Sequence, residues 1–257
     1  MNNKSFDDKR IAEGYTKDRP FLHAQVIDNL KRDMEIADDF QHGLDVGCGA
    51  GLSTKALKMI CRKVTGTDIS EEMIRVCKKI YDADDYDFMC SMAEETDAED
   101  DTFDIVSAAG VINWVDEEKF LHNLKRIMCN SGLLFIYDFW ITDKMIGNME
   151  YTQWYNECYL KNFPKPPRKE YIWRQENIPD FFLIEKQITF ELDYEFDLDS
   201  FIRFMMIQSN VNAQIEKRDR TEKEIREWFM ETLAPIWGNG RQTLVFDGYS
   251  WYLRLQK

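Results

Sequence analysis

The stretch GLDVGCGAGLST, Gly43 to Thr54, decides the fold. Leu44 and Val46 flank an acid, Asp45, and Gly47, Gly49 and Gly51 follow at alternate positions before a helical pattern begins. Glycines in that spacing permit a sharp, left-handed turn from a buried strand into a helix, with the backbone left open to a ligand. Outward from this turn, apolar runs alternate with amphipathic ones: STKALKMICR, KVTGTD, SEEMIRVCKKIY, DYDFMC, FDIVSAAG, DEEKFLHNLKRIM and GLLFIYDF. A β-α-β-α order of this kind predicts a parallel sheet with helices on its faces, an α/β fold. Ser70 and Asp116 stand where N-caps belong, each followed by glutamates suited to the positive end of a helix dipole. The acid-rich MAEETDAEDD, Met92 to Asp101, reads as a solvated connection.

The 257 residues read as one domain. Residues 1–40 form an N-terminal lid and a helix, residues 43–139 the core, residues 141–237 a largely helical cap, and residues 241–257 two antiparallel edge strands. Within the cap, LIEKQITFELDYEF alternates like a strand, and Thr221 with Glu224 spells a capping box.

Composition removes several classes of function. A formal charge of −14 repels nucleic-acid phosphates, so no nucleic-acid partner is expected. No apolar run reaches the roughly 18 residues of a membrane span, and the polar start resembles no targeting segment, which points to a cytoplasmic protein with no membrane partner. The six cysteines lack a C-x-x-C pair and the three histidines are far apart, so no metal site is expected.

A pyrophosphate-binding turn wants G-x-G-x-x-G; here Leu52 stands in the place of the last glycine, and Asp45 precedes the first. A ligand with a cationic amino-acid end gains from Asp45. Asp68, closing TGTDIS, is placed to accept hydrogen bonds from two ribose hydroxyls. Together these features describe a cationic nucleoside without phosphate. LDVGCGAG, TGTDIS, CSMAEE, FDIVSAAGVINWV and LKRIMCNSGLL, in that order, make the chain resemble the class I S-adenosylmethionine-dependent methyltransferases from about Tyr15 to Phe139. The resemblance implies a Rossmann-like, mostly parallel seven-stranded sheet with an antiparallel C-terminal edge and a helical cap. It also implies S-adenosylmethionine as cofactor and S-adenosylhomocysteine as product. Carried over, it sets Asp45, Gly47 and Gly49 along the methionine part, Asp68 on the ribose, Ile69 on the adenine, Met92 and Ala93 at the adenine edge and Ala109 beside the sulfonium. Asn130-Ser131-Gly132 stands where the family commonly has Pro-Gly-Gly.

Methyl transfer to a small-molecule acceptor, at oxygen or nitrogen, is the expected activity. A protein- or RNA-directed enzyme of the same fold, or a non-catalytic cofactor-binding relative, stays as the alternative. GYTKDRPFL is similar to a segment of small-molecule enzymes resembling trans-aconitate methyltransferase; by that match Tyr15 covers the reactive end and Arg19 reaches a carboxylate, and both border the cofactor. Asn113 and Trp114 are candidates to orient and wall the acceptor. Gln208, Ser209 and Asn210 end an apolar helix, where polar groups either cap it or face a ligand, and Trp154, Tyr155 and Trp173 are aromatic pocket candidates. No general base is evident, and an already ionised acceptor needs none.

Overall fold

The computed structural model describes residues 18–165, 173–217 and 220–257. Five strands form the parallel part of the sheet: β1 (Phe40–Val46), β2 (Cys61–Asp68), β3 (Tyr86–Cys90), β4 (Phe103–Ala109) and β5 (Met128–Met145). Two more, β6 (Phe182–Phe196) and β7 (Gln242–Leu255), complete a seven-stranded sheet in the order β3-β2-β1-β4-β5-β7-β6. The direction of strand addition reverses between β1 and β4, and ligands in open α/β sheets bind beyond the carboxyl ends of strands at such a point. The glycine turn lies there.

The helices are α1 (His23–Asp33), α2 (Leu52–Leu57), α3 (Glu71–Ile80), α4 (Glu117–Ile127), α5 (Met149–Gln153), α6 (Leu198–Met206), α7 (Ser209–Glu216) and α8 (Glu222–Trp237). After α5 the helical path runs through a π-type stretch, Trp154–Tyr159, to Leu160–Asn162. Ser70 Oγ accepts the Met73 N–H at 3.3 Å and Asp116 Oδ1 that of Lys119 at 3.2 Å, so both caps form as the sequence implies. Thr221 and Glu224 close the capping box of α8.

Side-chain alternation along β5 sorts the core into two layers. Leu133, Phe135 and Tyr137 join α1, α2, α6 and α8 on one face, and Leu134 and Ile136 join Phe120, Leu124 and Ile127 of α4 on the other. The first layer is rich in rings, with Trp154 stacked on Tyr159 at 5.7 Å and Phe163 on Phe229 at 5.5 Å.

The antiparallel half corrects three boundaries. β5 does not stop at residue 139; it continues to Met145, which pairs with Leu244 of β7. Residues 141–237 are therefore not all cap, since Phe182–Phe196 is a strand of the main sheet and its outer edge. The C-terminal residues form one strand between β5 and β6, not two edge strands. Gly248 causes no turn there: a Cβ on it would lie 2.3 Å from the Phe190 ring and 2.7 Å from the Asp138 carbonyl oxygen, so it permits close strand packing.

Candidate active site

At the end of β1 the chain passes through Gly47 (φ 65°) and Gly49 (φ 51°), both left-handed. A Cβ at Gly47 would come within 2.4 Å of Val111 Cγ2, whereas one at Gly49 would meet nothing within 4 Å. Gly47 is thus required by packing, and Gly49 keeps open a space that a ligand can fill. Asp68 ties this turn to β2: its Oδ2 accepts the Gly49 N–H and its Oδ1 the Ser70 N–H, each at 2.9 Å. A carboxylate oxygen has two lone pairs and can accept more than one hydrogen bond.

Asp45 has a different place from the one its sequence suggests. It is fully buried and is not among the cavity-lining residues. Its Oδ2 accepts from Ser53 Oγ (2.6 Å) and Thr54 Oγ1 (2.7 Å), and its Oδ1 from Ser107 Oγ (2.6 Å). Asp45 therefore holds β1, α2 and β4 together beneath the turn, behind the cavity wall. Burial raises its pKa to about 6 against the pull of the three hydroxyls. Cys48, inside the turn, is inert filler: a hydrogen bond with Cys77, then burial, push its thiol well above the ordinary value.

Above the carboxyl ends of the strands lies a cavity of about 620 Å³. One half is bounded by Gly47, Gly49, Asp68, Ile69, Met92, Ala93 and Ala109. Ile69 and Met92 are about half exposed, apolar and face this space. The other half is bounded by the end of β5 from Tyr137 to Ile141, by Phe204, Ile207, Gln208 and Ser209 of the cap, by Phe246, and by His23 of α1. Arg19 and Trp114 also line it.

The remaining candidates divide. Gln208 lines the cavity while its Nε2 donates to the Phe204 carbonyl at 3.1 Å, so it both caps α6 and faces the pocket. Asn113 is half-buried and not among the lining residues. Asn210 points into the cap core, where its Nδ2 donates to Tyr159 Oη at 2.9 Å and to the Phe163 carbonyl at 2.6 Å. Trp154 and Tyr155 are buried in the same core, and Trp173 packs on Trp251 at 5.6 Å; none lines the cavity. Tyr15 lies outside the described residues. Asn210→Ala should strand the Phe163 carbonyl and cost about 1–3 kcal/mol of stability, with S-adenosylhomocysteine affinity unchanged; urea denaturation and calorimetry on one preparation check both.

Three lining groups escape a reading of the sequence: His23, Tyr137 and Asp138. His23 Nδ1 and Tyr137 Oη are 2.9 Å apart, and burial, then Arg19, lower the His23 pKa to about 3. Tyr137 is held well above its ordinary value by burial and by Asp45 and Asp138, so it keeps its proton. The available signal was His23 on the same stripe as Val26, Ile27 and Leu30, the buried face of α1. Among the described residues, no group of three His, Cys, Asp or Glu side chains could hold a metal, and no helix is long and apolar enough to cross a membrane.

Residues 44–136 match the family described as methyltransferase domain. A methyltransferase domain thus forms the core of the chain. A candidate methyltransferase of Dictyostelium discoideum is 22% identical over 98% of this chain and 95% of its own length. A solved structure, of a candidate type II methyltransferase from Anaeromyxobacter dehalogenans, superposes with a TM-score of 0.67 at 18% identity, covering 93% of this chain and 96% of that one. A ubiquinone biosynthesis O-methyltransferase of Rhizobium leguminosarum is 30% identical over 121 residues, 45% of this methyltransferase and 48% of the relative. The chain spans about half the length of that relative. The family match ends at residue 136, one residue before Tyr137, so the methyltransferase core accounts for the half of the cavity around the glycine turn and not for the other.

Proposed function

We propose that this methyltransferase moves the methyl group of S-adenosylmethionine to a small-molecule acceptor, at an oxygen or nitrogen atom. The carrying observation is the two-part cavity: an open glycine turn with Asp68 on one side, and on the other a wall of β5 and cap residues in which Phe139, Ile141, Phe204 and Phe246 stand beside polar groups, in a volume suited to small molecules. The residues present fit the cofactor. Asp68 would hold the ribose, Gly47 and Gly49 the methionine part, Ile69 the adenine face, and Met92 and Ala93 its edge, with Ala109 near the sulfur. Bound there, S-adenosylmethionine supplies a methyl group activated by its sulfonium.

The chain's task is then to align and to exclude water. Asp45 and its three hydroxyl partners fix the turn from below, and Phe139, Ile141, Phe204 and Phe246 keep the acceptor side apolar. The net charge of −14 works against a nucleic-acid acceptor. The Rhizobium relative, named for an O-methylation, supports an oxygen acceptor.

Asp68→Ala should weaken S-adenosylhomocysteine binding ten- to a hundredfold, about 1.5–3 kcal/mol for hydrogen bonds to a charged group. Wild-type protein with methyl-labelled S-adenosylmethionine should label members of a panel of small phenols, amines and carboxylic acids. Unchanged affinity in a folded Asp68→Ala protein removes the cofactor assignment. Tight binding without transfer to any panel member replaces the enzyme by a cofactor-binding protein.

A further inference from the structure

His23 stands in the wall of the acceptor half, only 5% exposed, with its ring edge-on to Phe139 at 5.0 Å. An imidazole has two nitrogens, and one of them is taken: Nδ1 pairs with Tyr137 Oη. Tyr137 anchors the ring firmly because its own ring is stacked on Phe135 at 4.6 Å, which in turn lies on Tyr252 at 5.5 Å. No other hydrogen bond to His23 occurs among the described residues, so Nε2 keeps its hydrogen-bonding capacity for a molecule in the cavity.

The surroundings restrict that molecule. Phe139, Ile141, Phe204 and Phe246 form an apolar, ring-lined space beside His23. The other titratable group at the end of β5, Asp138, is on the opposite parity of the strand from Tyr137 and beside Gly110, where a Cβ would lie 3.3 Å from Asp138 Oδ1. It borders the end of β4. An aromatic molecule that enters with its hydroxyl un-ionised fits this apolar lining, where an ionised oxygen is costly to desolvate, and a neutral hydroxyl has a proton to lose.

We propose that His23 is the catalytic base of this methyltransferase, that its Nε2 takes the proton of a neutral aromatic hydroxyl acceptor, and that Tyr137 is the positioning residue that orients it. The proposal rests on the methyl-transfer reading above. A lone pair of the hydroxyl oxygen forms the new bond to the methyl carbon, the carbon–sulfur bond breaks with its electron pair left on sulfur as a thioether, and the hydroxyl proton passes to Nε2. The charge lost by the sulfonium thus appears on the imidazole. The tautomer required has its proton on Nδ1, donated to Tyr137 Oη, with the Nε2 lone pair facing the cavity. Burial and Arg19 keep this imidazole uncharged at neutral pH, so the lone pair is present before the reaction. A base this weak is sufficient, because the oxygen it serves becomes far more acidic as the methyl group arrives.

The test uses the full chain with phenol and 4-nitrophenol as probes at about pH 8, where phenol, like tyrosine with its pKa of about 10, keeps its proton and 4-nitrophenol has lost it. His23→Gln should lower kcat/KM for phenol by about a hundredfold, the scale of general-base catalysis, and the loss with 4-nitrophenol should be at least tenfold smaller. Tyr137→Phe should show the same dependence on acceptor ionisation with a smaller loss, carried in kcat rather than KM. A readout apart from turnover is the ¹⁵N spectrum of the S-adenosylhomocysteine complex. Its His23 Nε2 should resonate as an unprotonated nitrogen, shift when phenol is added, and lose that definition in Tyr137→Phe. Calorimetry with S-adenosylhomocysteine separates the two levels of inference: if wild type does not bind it, the methyl-transfer reading itself fails. If wild type binds it yet methylates neither phenol, or His23→Gln loses equally with both, or Nε2 carries the ring proton, the proposal is overturned. An ionisation-dependent loss in Asp138→Asn but not in His23→Gln would move the base to Asp138. Should His23→Gln not fold, the Tyr137→Phe kinetics and the wild-type spectrum decide.

Discussion

Gly47→Ala should weaken S-adenosylhomocysteine binding about a hundredfold and destabilise the fold strongly, whereas Gly49→Ala should weaken binding at a smaller cost in stability. The new Cβ at residue 47 would fall 2.4 Å from Val111 Cγ2, on a branched side chain with little freedom to turn away, at a φ of 65°. The left-handed conformation costs about 1–2 kcal/mol for an alanine and overpacking about 1–3 more, so a total of about 2–5 kcal/mol is expected. Val111 lines the cavity beside the turn, so its displacement should also lower affinity by roughly two decades. At residue 49 the Cβ meets no protein atom within 4 Å, which leaves only the conformational cost of about 1–2 kcal/mol. That Cβ would occupy space needed by the ligand. Gly147→Ala, also at positive φ with open space around it but remote from the cavity, is the control for conformational cost alone. Urea denaturation and calorimetry on the three variants should rank them differently in stability and in affinity. If all three lose stability equally and keep affinity, the turn is merely a tight connection.

The half of the molecule around this turn was legible because its determinants are local. Parallel strands buried on both faces read as short apolar runs, as in Leu44–Val46 and Ile105–Ala108, and the caps at Ser70, Asp116 and Thr221 lie within three residues of the N–H groups they satisfy. The position of Asp68 is local in the same way, at the end of its strand and two residues before the N–H of Ser70. The hydroxyl cage around Asp45 was not legible because one of its three partners, Ser107, is 62 residues away. β7 was read as two strands because a glycine required for close approach of strands, as Gly248 is, is written in the same letter as one required for a turn. The acceptor half depends on pairings of still longer range. His23 meets Tyr137 across 114 residues, and Asn210 meets Tyr159 across 51. Polar residues at the end of a cap helix announce a hydrogen bond and not its direction; Gln208 turned toward the cavity and Asn210 away from it.

Two buried titratable groups should give this protein opposing pH dependences that single substitutions separate. His23 has its folded pKa lowered to about 3 from an ordinary value of 6.5, by burial and then Arg19, so the unfolded chain binds its proton first. Its contribution to stability is complete above pH 6.5 and is lost as pH falls toward 3, in total about 5 kcal/mol at 1.36 kcal/mol per pH unit. Asp45 behaves in the opposite sense. Burial, with a smaller push from Asp68, outweighs the hydroxyls of Ser107, Ser53 and Thr54 and raises its folded pKa to about 6 from 3.8, so the folded chain binds this proton first. Acidification from pH 6 to 3.8 therefore stabilises the fold through Asp45 by about 3 kcal/mol. In the wild type the two contributions oppose one another over most of this range. His23→Phe removes the loss: its stability relative to wild type should rise by about 3 kcal/mol between pH 7 and 4. Asp45→Asn keeps an acceptor for the hydroxyls but removes the gain, and its relative stability should fall by about as much over the same interval. Urea unfolding of the three proteins at pH 7, 5.5 and 4 measures both differences. Parallel curves for wild type and His23→Phe would mean that the imidazole is not held neutral in the cavity wall, and the orientation of His23 against Tyr137 would fall with it.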